Sequence, residues 1–262
     1  MTGHVYIERR ADGVATVTLD NPTHRNALND GMIEAIIEGF RLLSQDRACR
    51  AILLRGAGGM FCAGREIGNL LAIQQAGMDV IHRAYHRLRE LNEAIYYCPK
   101  PVVAALDRYA LGAGIMLATL ADIAIATEDC LIGYPEVKLG IPPTQTTIGL
   151  IRGVHRKAVM DLVLTARNIQ GVDAAHMGLV TRAVPAAALD ADVEATLAML
   201  VANGPEAMAR TKELIWKTED SDYRSALSVG TDVISVAVAT REAHEGVGAF
   251  LSKRKPNWKG TS

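Results

Sequence analysis

Net charge is almost absent from this 262-residue sequence: 28 Lys and Arg stand against 29 Asp and Glu, leaving −1 with histidine neutral. That balance excludes the broad basic footprint of a nucleic-acid or anionic-membrane binder, so any anion must be met by local groups. Cysteine is sparse as well. Cys49, Cys62, Cys98 and Cys130 form no CxxC pair and no Cys/His ligand spacing, which argues against a zinc site or a disulfide framework and for reduced thiols in a cytoplasmic protein. No stretch reaches the ~18 uninterrupted apolar residues of a membrane span. The N-terminal MTGHVYIERRADG is charged early and lacks the apolar core of a signal peptide. His82 and His86 share a presumed helix face, but no glutamate lies between them in the zinc-protease arrangement, so no metal is expected.

What is present is the composition of a globular protein, 49% hydrophobic and 22% charged, in a length that suits one α/β unit with a helical appendage. His4 to Arg9 and Val14 to Leu19 alternate around Ala11-Asp12-Gly13, predicting a β-hairpin. Asn29-Asp30 predicts a cap for a helix to Ser44, with Met32, Ile33, Ile36, Ile37, Phe40 and Leu43 on one face. Buried strands are predicted at 51–55 and 102–106, and one long helix between 69 and 97, ended by Pro99 and Pro101. A short helix from Gly114 and β runs at 123–126 and 131–133 follow. From about Ala186 the pattern is nearly all helix: 189–202, 205–216, 222–240 and 242–251. Apolar residues on more than one face there call for a partner surface, either a second subunit or the chain's own core.

Two glycine-flanked small-residue turns carry the chemistry. FCAGREI at 61–67 and ALGAGIMLA at 110–118 each follow an apolar strand-like run and each offers a backbone N–H without a bulky side chain. Two such donors aimed at one point form an oxyanion hole, and the second also opens a helix whose dipole adds positive potential. Glu136, in GYPEVKLG, is a carboxylate in apolar surroundings, suited to moving a proton beside a thioester carbonyl. Read alone, the glycines serve a strand-to-helix turn and Glu136 a surface loop.

Six segments in order lift that reading: NPTHRNALN, FCAGREI, KPVVAALDRYALGAGIMLATLADIAIA, IGYPEVKLGI, VLTARNIQGVDAAHMGLV and EGVGAFLSKRKPNW. Together they resemble the enoyl-CoA hydratase/isomerase (crotonase) superfamily over nearly the whole chain. The resemblance implies a crotonase-type α/β fold, a spiral of ββα units over 1–195, with a helical oligomerisation region over 196–262 that forms a homotrimer or a dimer of trimers. It implies an acyl-CoA thioester substrate, with coenzyme A part of that substrate and no permanently bound cofactor. It maps the oxyanion donors onto the N–H groups of Ala63 and Ala113 and the acid/base onto Glu136. It places Arg25 and Ala27 of the first segment, Ile67, Gly112 and Met116 beside the turns, and Phe250 and Lys253 in the tail among the substrate and CoA contacts, the last two reaching a neighbouring subunit's nucleotide. Lys253 and its basic neighbours otherwise read as a solvated tail.

The departures matter as much. Met116 stands where two-acid hydratases have a second glutamate, and a thioether transfers no proton. One carboxylate suffices for Δ3,Δ2 double-bond isomerisation and for hydration of an activated enoyl-CoA. Both outcomes stay open here, together with a non-catalytic acyl-CoA binder and, from the GIPP turn at 140–143, a hydratase-lyase of aromatic enoyl-CoAs. Glu66 replaces the usual aspartate; Arg65 beside it either meets an anionic acyl tail or faces solvent. PPTQTT at 142–147 replaces a glycine-rich segment and is one residue shorter. Tyr134 is expected at a rim with its hydroxyl exposed. A protease of the same fold needs a serine at a turn, and neither turn has one.

Overall fold

The computed structural model describes residues 3–259. Its strands are His4–Arg9 (β1), Val14–Asp20 (β2), Ala51–Gly56 (β3), Val102–Leu106 (β4), Tyr109–Leu111 (β5), Ile123–Thr127 (β6), Leu131–Gly133 (β7) and Arg182–Val184 (β8). Its helices are Asp30–Gln45 (α1), Ile67–Gln75 (α2), Met78–Tyr96 (α3), Ala113–Leu120 (α4), Thr144–Gly153 (α5), Arg156–Thr165 (α6), Gly171–His176 (α7), Leu189–Ala202 (α8), Pro205–Thr218 (α9), Tyr223–Ala237 (α10) and Arg241–Leu251 (α11). One six-stranded sheet runs β1-β2-β3-β4-β6-β8, and β5 pairs with β7 in a second, two-stranded sheet. The hairpin partners β1 and β2 are antiparallel, and every later pairing is parallel, as strands joined by helical crossovers must be.

Parallel strands covered on both faces become continuously apolar, and β4 (VVAAL) is buried at every position. On one face the sheet packs on α1 and α3 through Ile36, Phe40, Leu43, Leu91 and Ile95. On the other, Leu189, Val193 and Leu197 of α8 cover Leu53, Val103 and Ile125. α1 starts where Asn29 caps it, its side-chain oxygen accepting from the Met32 N–H at 2.9 Å, an interaction of about 1 kcal/mol.

Three expectations are corrected. The long helix between 69 and 97 is two helices, because Gly77 sits at φ +92°, a conformation that ends α2 and starts α3. The division at 195/196 falls inside the unbroken α8, which belongs to the sheet's own core; the helical appendage begins at α9. Tyr134 is fully buried rather than at a rim. Beyond α8, helices α10 and α11 leave Leu227, Ile234, Val236, Val247, Phe250 and Leu251 exposed, as is Val238 just after α10. No helix among the described residues is long and apolar enough to cross a membrane.

Candidate active site

The first turn is fixed by backbone hydrogen bonds on alternating sides. Cys62 pairs with β5, its N–H donating to Tyr109 and its carbonyl accepting from Leu111. The Ala63 N–H donates to the Arg25 carbonyl at 3.1 Å. The Gly64 carbonyl then accepts from Leu28 N–H at 2.7 Å, and the Glu66 N–H donates to the Leu28 carbonyl at 2.9 Å. In a planar trans peptide the C=O and the following N–H point opposite ways. The Gly64 carbonyl is turned to Leu28, so the Arg65 N–H is directed away from Leu28. This corrects the expectation for Ala63: its amide is engaged inside the fold, and the peptide aimed across the turn is the one between Gly64 and Arg65.

The second turn is built the same way. The Gly112 N–H donates to the Gly133 carbonyl at 2.9 Å, and the Gly112 carbonyl accepts from the Met116 N–H at 3.1 Å as the first helical bond of α4. By the same peptide geometry the Ala113 N–H points out of the helix start, where backbone amides have no intrahelical acceptor and the helix dipole is positive. Gly112 requires its lack of a side chain: φ is +51°, and a Cβ there would sit 3.2 Å from Glu136 Oε1. Gly64, at φ +104°, has room for no more, since a Cβ would lie 2.9 Å from the Leu111 carbonyl oxygen and 3.7 Å from the Ala113 nitrogen. The two turns therefore lie against each other, with the Glu136 carboxyl on the second.

Glu136 follows Pro135 at the start of a short 3-10 turn ending at Leu139. The residue is half-buried, and its Oε2 has no hydrogen-bond partner among the described residues. Desolvation pushes its pKa above the ordinary carboxylate value; its own backbone N–H and the Thr146 side chain pull in the opposite direction without cancelling it. Tyr134, just after β7, is held neutral, first by burial and then by the Glu136 charge. Complete burial raises the Cys62 thiol to about 12, so it stays protonated and is no rival base or nucleophile.

A cavity of about 130 Å³ opens where these groups meet. Ala63, Gly64, Arg65, Gly112, Ala113 and Glu136 line one part; Ile67, Leu70, Tyr85, Leu88, Leu139 and Ile141 make the remainder largely apolar. The Arg65 guanidinium donates to Asp30 Oδ1 at 2.7 Å and lies 5.9 Å from the centre of the Tyr85 ring.

Of the residues expected from sequence, Glu136, Ala63, Ala113, Gly112 and Ile67 share this cavity. Met116 does not line it. Its side chain is 1% exposed, and its sulfur accepts from Asn92 Nδ2 at 3.3 Å, a packing role in the core. Ala27 is buried outside the lining, its carbonyl accepting from the Asn21 amide at 2.8 Å. Arg25 is exposed, with its guanidinium 5.7 Å from the Tyr109 ring centre and its carbonyl holding the first turn. Phe250, 82% exposed, and Lys253 lie at the end of α11 and outside the cavity. Sequence reading missed Gln145 and Thr146, which line it from α5; the departure at PPTQTT was the available signal. No cluster of three metal-ligating side chains occurs among the described residues.

A family model described as enoyl-CoA hydratase/isomerase matches residues 9–261. A probable mitochondrial enoyl-CoA hydratase of Dictyostelium discoideum is 31% identical over 248 residues, covering 94% of this chain and 87% of that protein. Among solved structures, Pseudomonas aeruginosa AtuE superposes with a TM-score of 0.93 at 34% identity, covering 97% of this chain and 98% of the other. An enoyl-CoA hydratase of Mycobacterium smegmatis superposes at 0.91 and 32% identity with the same coverage.

Proposed function

The chain belongs to the enoyl-CoA hydratase/isomerase family, and on that premise we propose that it adds water across the double bond of a 2-enoyl-CoA thioester. The thioester oxygen accepts from the N–H groups of Arg65 and Ala113, and Glu136 is both base and acid. As the water oxygen bonds to C3, its proton passes to the Glu136 carboxylate and the C2=C3 electron pair moves to the thioester as an enolate. The protonated Glu136 then returns a proton to C2, and the C=O bond re-forms. Two preorganised donors at the enolate oxygen contribute about 3 kcal/mol each to the barrier reduction.

The observation that carries this reading is the carboxyl of Glu136 lying against Gly112, the residue whose peptide bond carries the Ala113 amide. A second reading, migration of a double bond between C3 and C2, is favoured by Met116, since that reaction needs one proton-carrying group. Assaying a panel of 2-enoyl- and 3-enoyl-CoA thioesters separates the two: hydration consumes the conjugated thioester absorbance, and isomerisation creates it. A wild type inactive on every member is instead a binder.

Because water attack requires an ionised Glu136, the rate falls as pH falls through its pKa. Burial places that pKa above the usual value, so the acid limb of kcat/KM is expected above the range of an exposed glutamate. A limb at or below the ordinary 4.5 would contradict this assignment.

Arg25 and Ile67, exposed beside the first turn, are assigned to the coenzyme A phosphates and adenine. The apolar residues left exposed on α10 and α11 support self-association into a homotrimer or a dimer of trimers, with Phe250 and Lys253 reaching a neighbouring copy's nucleotide. Light scattering at micromolar concentration is expected to give three or six times the mass of the 28.1 kDa chain; a monomer would overturn that part.

A further inference from the structure

Thr146 stands out among the threonines of the helices. Thr147 turns its hydroxyl back to the Pro143 carbonyl, and Thr165, Thr211, Thr218 and Thr231 likewise donate to the carbonyl four residues earlier, the usual way a helical threonine satisfies itself. Thr146, in the first turn of α5, does not. It is 7% exposed, its hydroxyl has no hydrogen-bond partner of good geometry among the described residues, and it lines the cavity with Glu136. Glu136 Oε2, in the same lining, is likewise buried with no hydrogen-bond partner among the described residues. Leaving a hydroxyl and a carboxylate oxygen both buried and unmatched is costly, and one is a donor where the other is an acceptor. The two carboxylate oxygens are thereby distinguished: Oε1 borders the Gly112 turn and the oxyanion donors, while Oε2 is turned inward.

Resting on the reading of Glu136 as acid and base, we propose that Thr146 is its positioning residue: the hydroxyl donates to Oε2 in the working site, presenting Oε1 as the oxygen that exchanges protons with water and C2. Gln145 fixes the location of Thr146 by spanning α5 and α3, its Nε2 donating to the Tyr85 carbonyl at 3.0 Å and its Oε1 accepting from Asn92 at 3.3 Å. In a site without a second carboxylate, this hydroxyl supplies the orientation that a second acid would otherwise share. The groups that face the Glu136 carboxyl are its own backbone N–H, the Thr146 hydroxyl and the neutral Tyr134 phenol; the Arg65 guanidinium lines the same cavity.

The test compares Thr146→Val, close in shape but without a donor, with Thr146→Ser, which keeps it. The assay uses whichever of but-2-enoyl-, hex-2-enoyl- and cinnamoyl-CoA the wild type hydrates fastest. Thr146→Val is expected to lower kcat about 10- to 100-fold with KM within a few-fold. Its acid limb moves to higher pH, because the ionised carboxyl has lost a donor, and Thr146→Ser restores both. A merely structural threonine would lower the thermal midpoint without moving the limb, and that result overturns the proposal, as does a Thr146→Val protein with wild-type kcat and limb. A wild type that neither hydrates any of the three nor isomerises the 3-enoyl-CoA thioesters removes the reading of Glu136 itself, a failure distinct from the others.

Discussion

Glu136→Gln is expected to reduce turnover of enoyl-CoA thioesters by about 10³-fold, the range lost when a positioned acid/base is removed, with KM little changed. The substitution keeps the shape of the side chain beside Gly112 but can neither take a proton from water nor return one to C2. The folded protein is expected to tolerate it. Burial raises the pKa of this carboxyl above its unfolded value, so the ionised form opposes folding at neutral pH and that cost vanishes once the group is protonated below its unfolded pKa. A neutral amide removes the cost at all pH values, and the thermal midpoint should stay equal or rise. Retention of more than a tenth of wild-type turnover would remove Glu136 from the chemistry.

The second large effect is expected at Ala113. Proline at this position deletes one N–H and sets its Cδ where that hydrogen pointed, and the first residue of a helix is where proline is best accommodated, since that amide has no intrahelical partner. Ala113→Pro is therefore expected to lower kcat by about 10²- to 10³-fold, the cost of removing one oxyanion donor. Circular dichroism and thermal unfolding check that α4 remains intact. A folded variant with undiminished kcat would show that the Ala113 amide does not meet developing charge.

Much of this architecture could be read from residue patterns, for identifiable reasons. The hairpin of β1 and β2, the Asn29 cap of α1, the buried β4 and the bounds of α8 follow from periodicity, capping chemistry and apolar runs, all local properties. The break between α2 and α3 is hidden in the sequence because Gly77 lies in a stretch whose helical tendency is otherwise continuous, and only its positive φ reveals the end. Motif spacing located both glycine turns and Glu136, but could not say which peptide of FCAGREI faces the cavity. That depends on the Arg25 and Leu28 backbones, which come from a distant segment and engage Ala63 and Gly64. Tyr134 was expected at a rim because its phenol favours water, yet the packing around β7 encloses it completely. Thr146 is not legible in the sequence because a lone threonine in PPTQTT has no pattern of its own; its significance comes from an orphaned carboxylate oxygen brought near by folding.

The central claim is that the Arg65 and Ala113 amides converge on one thioester oxygen with Glu136 beside the reacting carbons. A crystal structure of the protein with an unreactive acyl-CoA bound measures this directly. The account predicts the thioester oxygen at about 2.7–3.1 Å from both amide nitrogens, with Glu136 Oε1 facing C2. A thioester oxygen remote from either amide, or a Glu136 carboxyl turned away from C2, would contradict it.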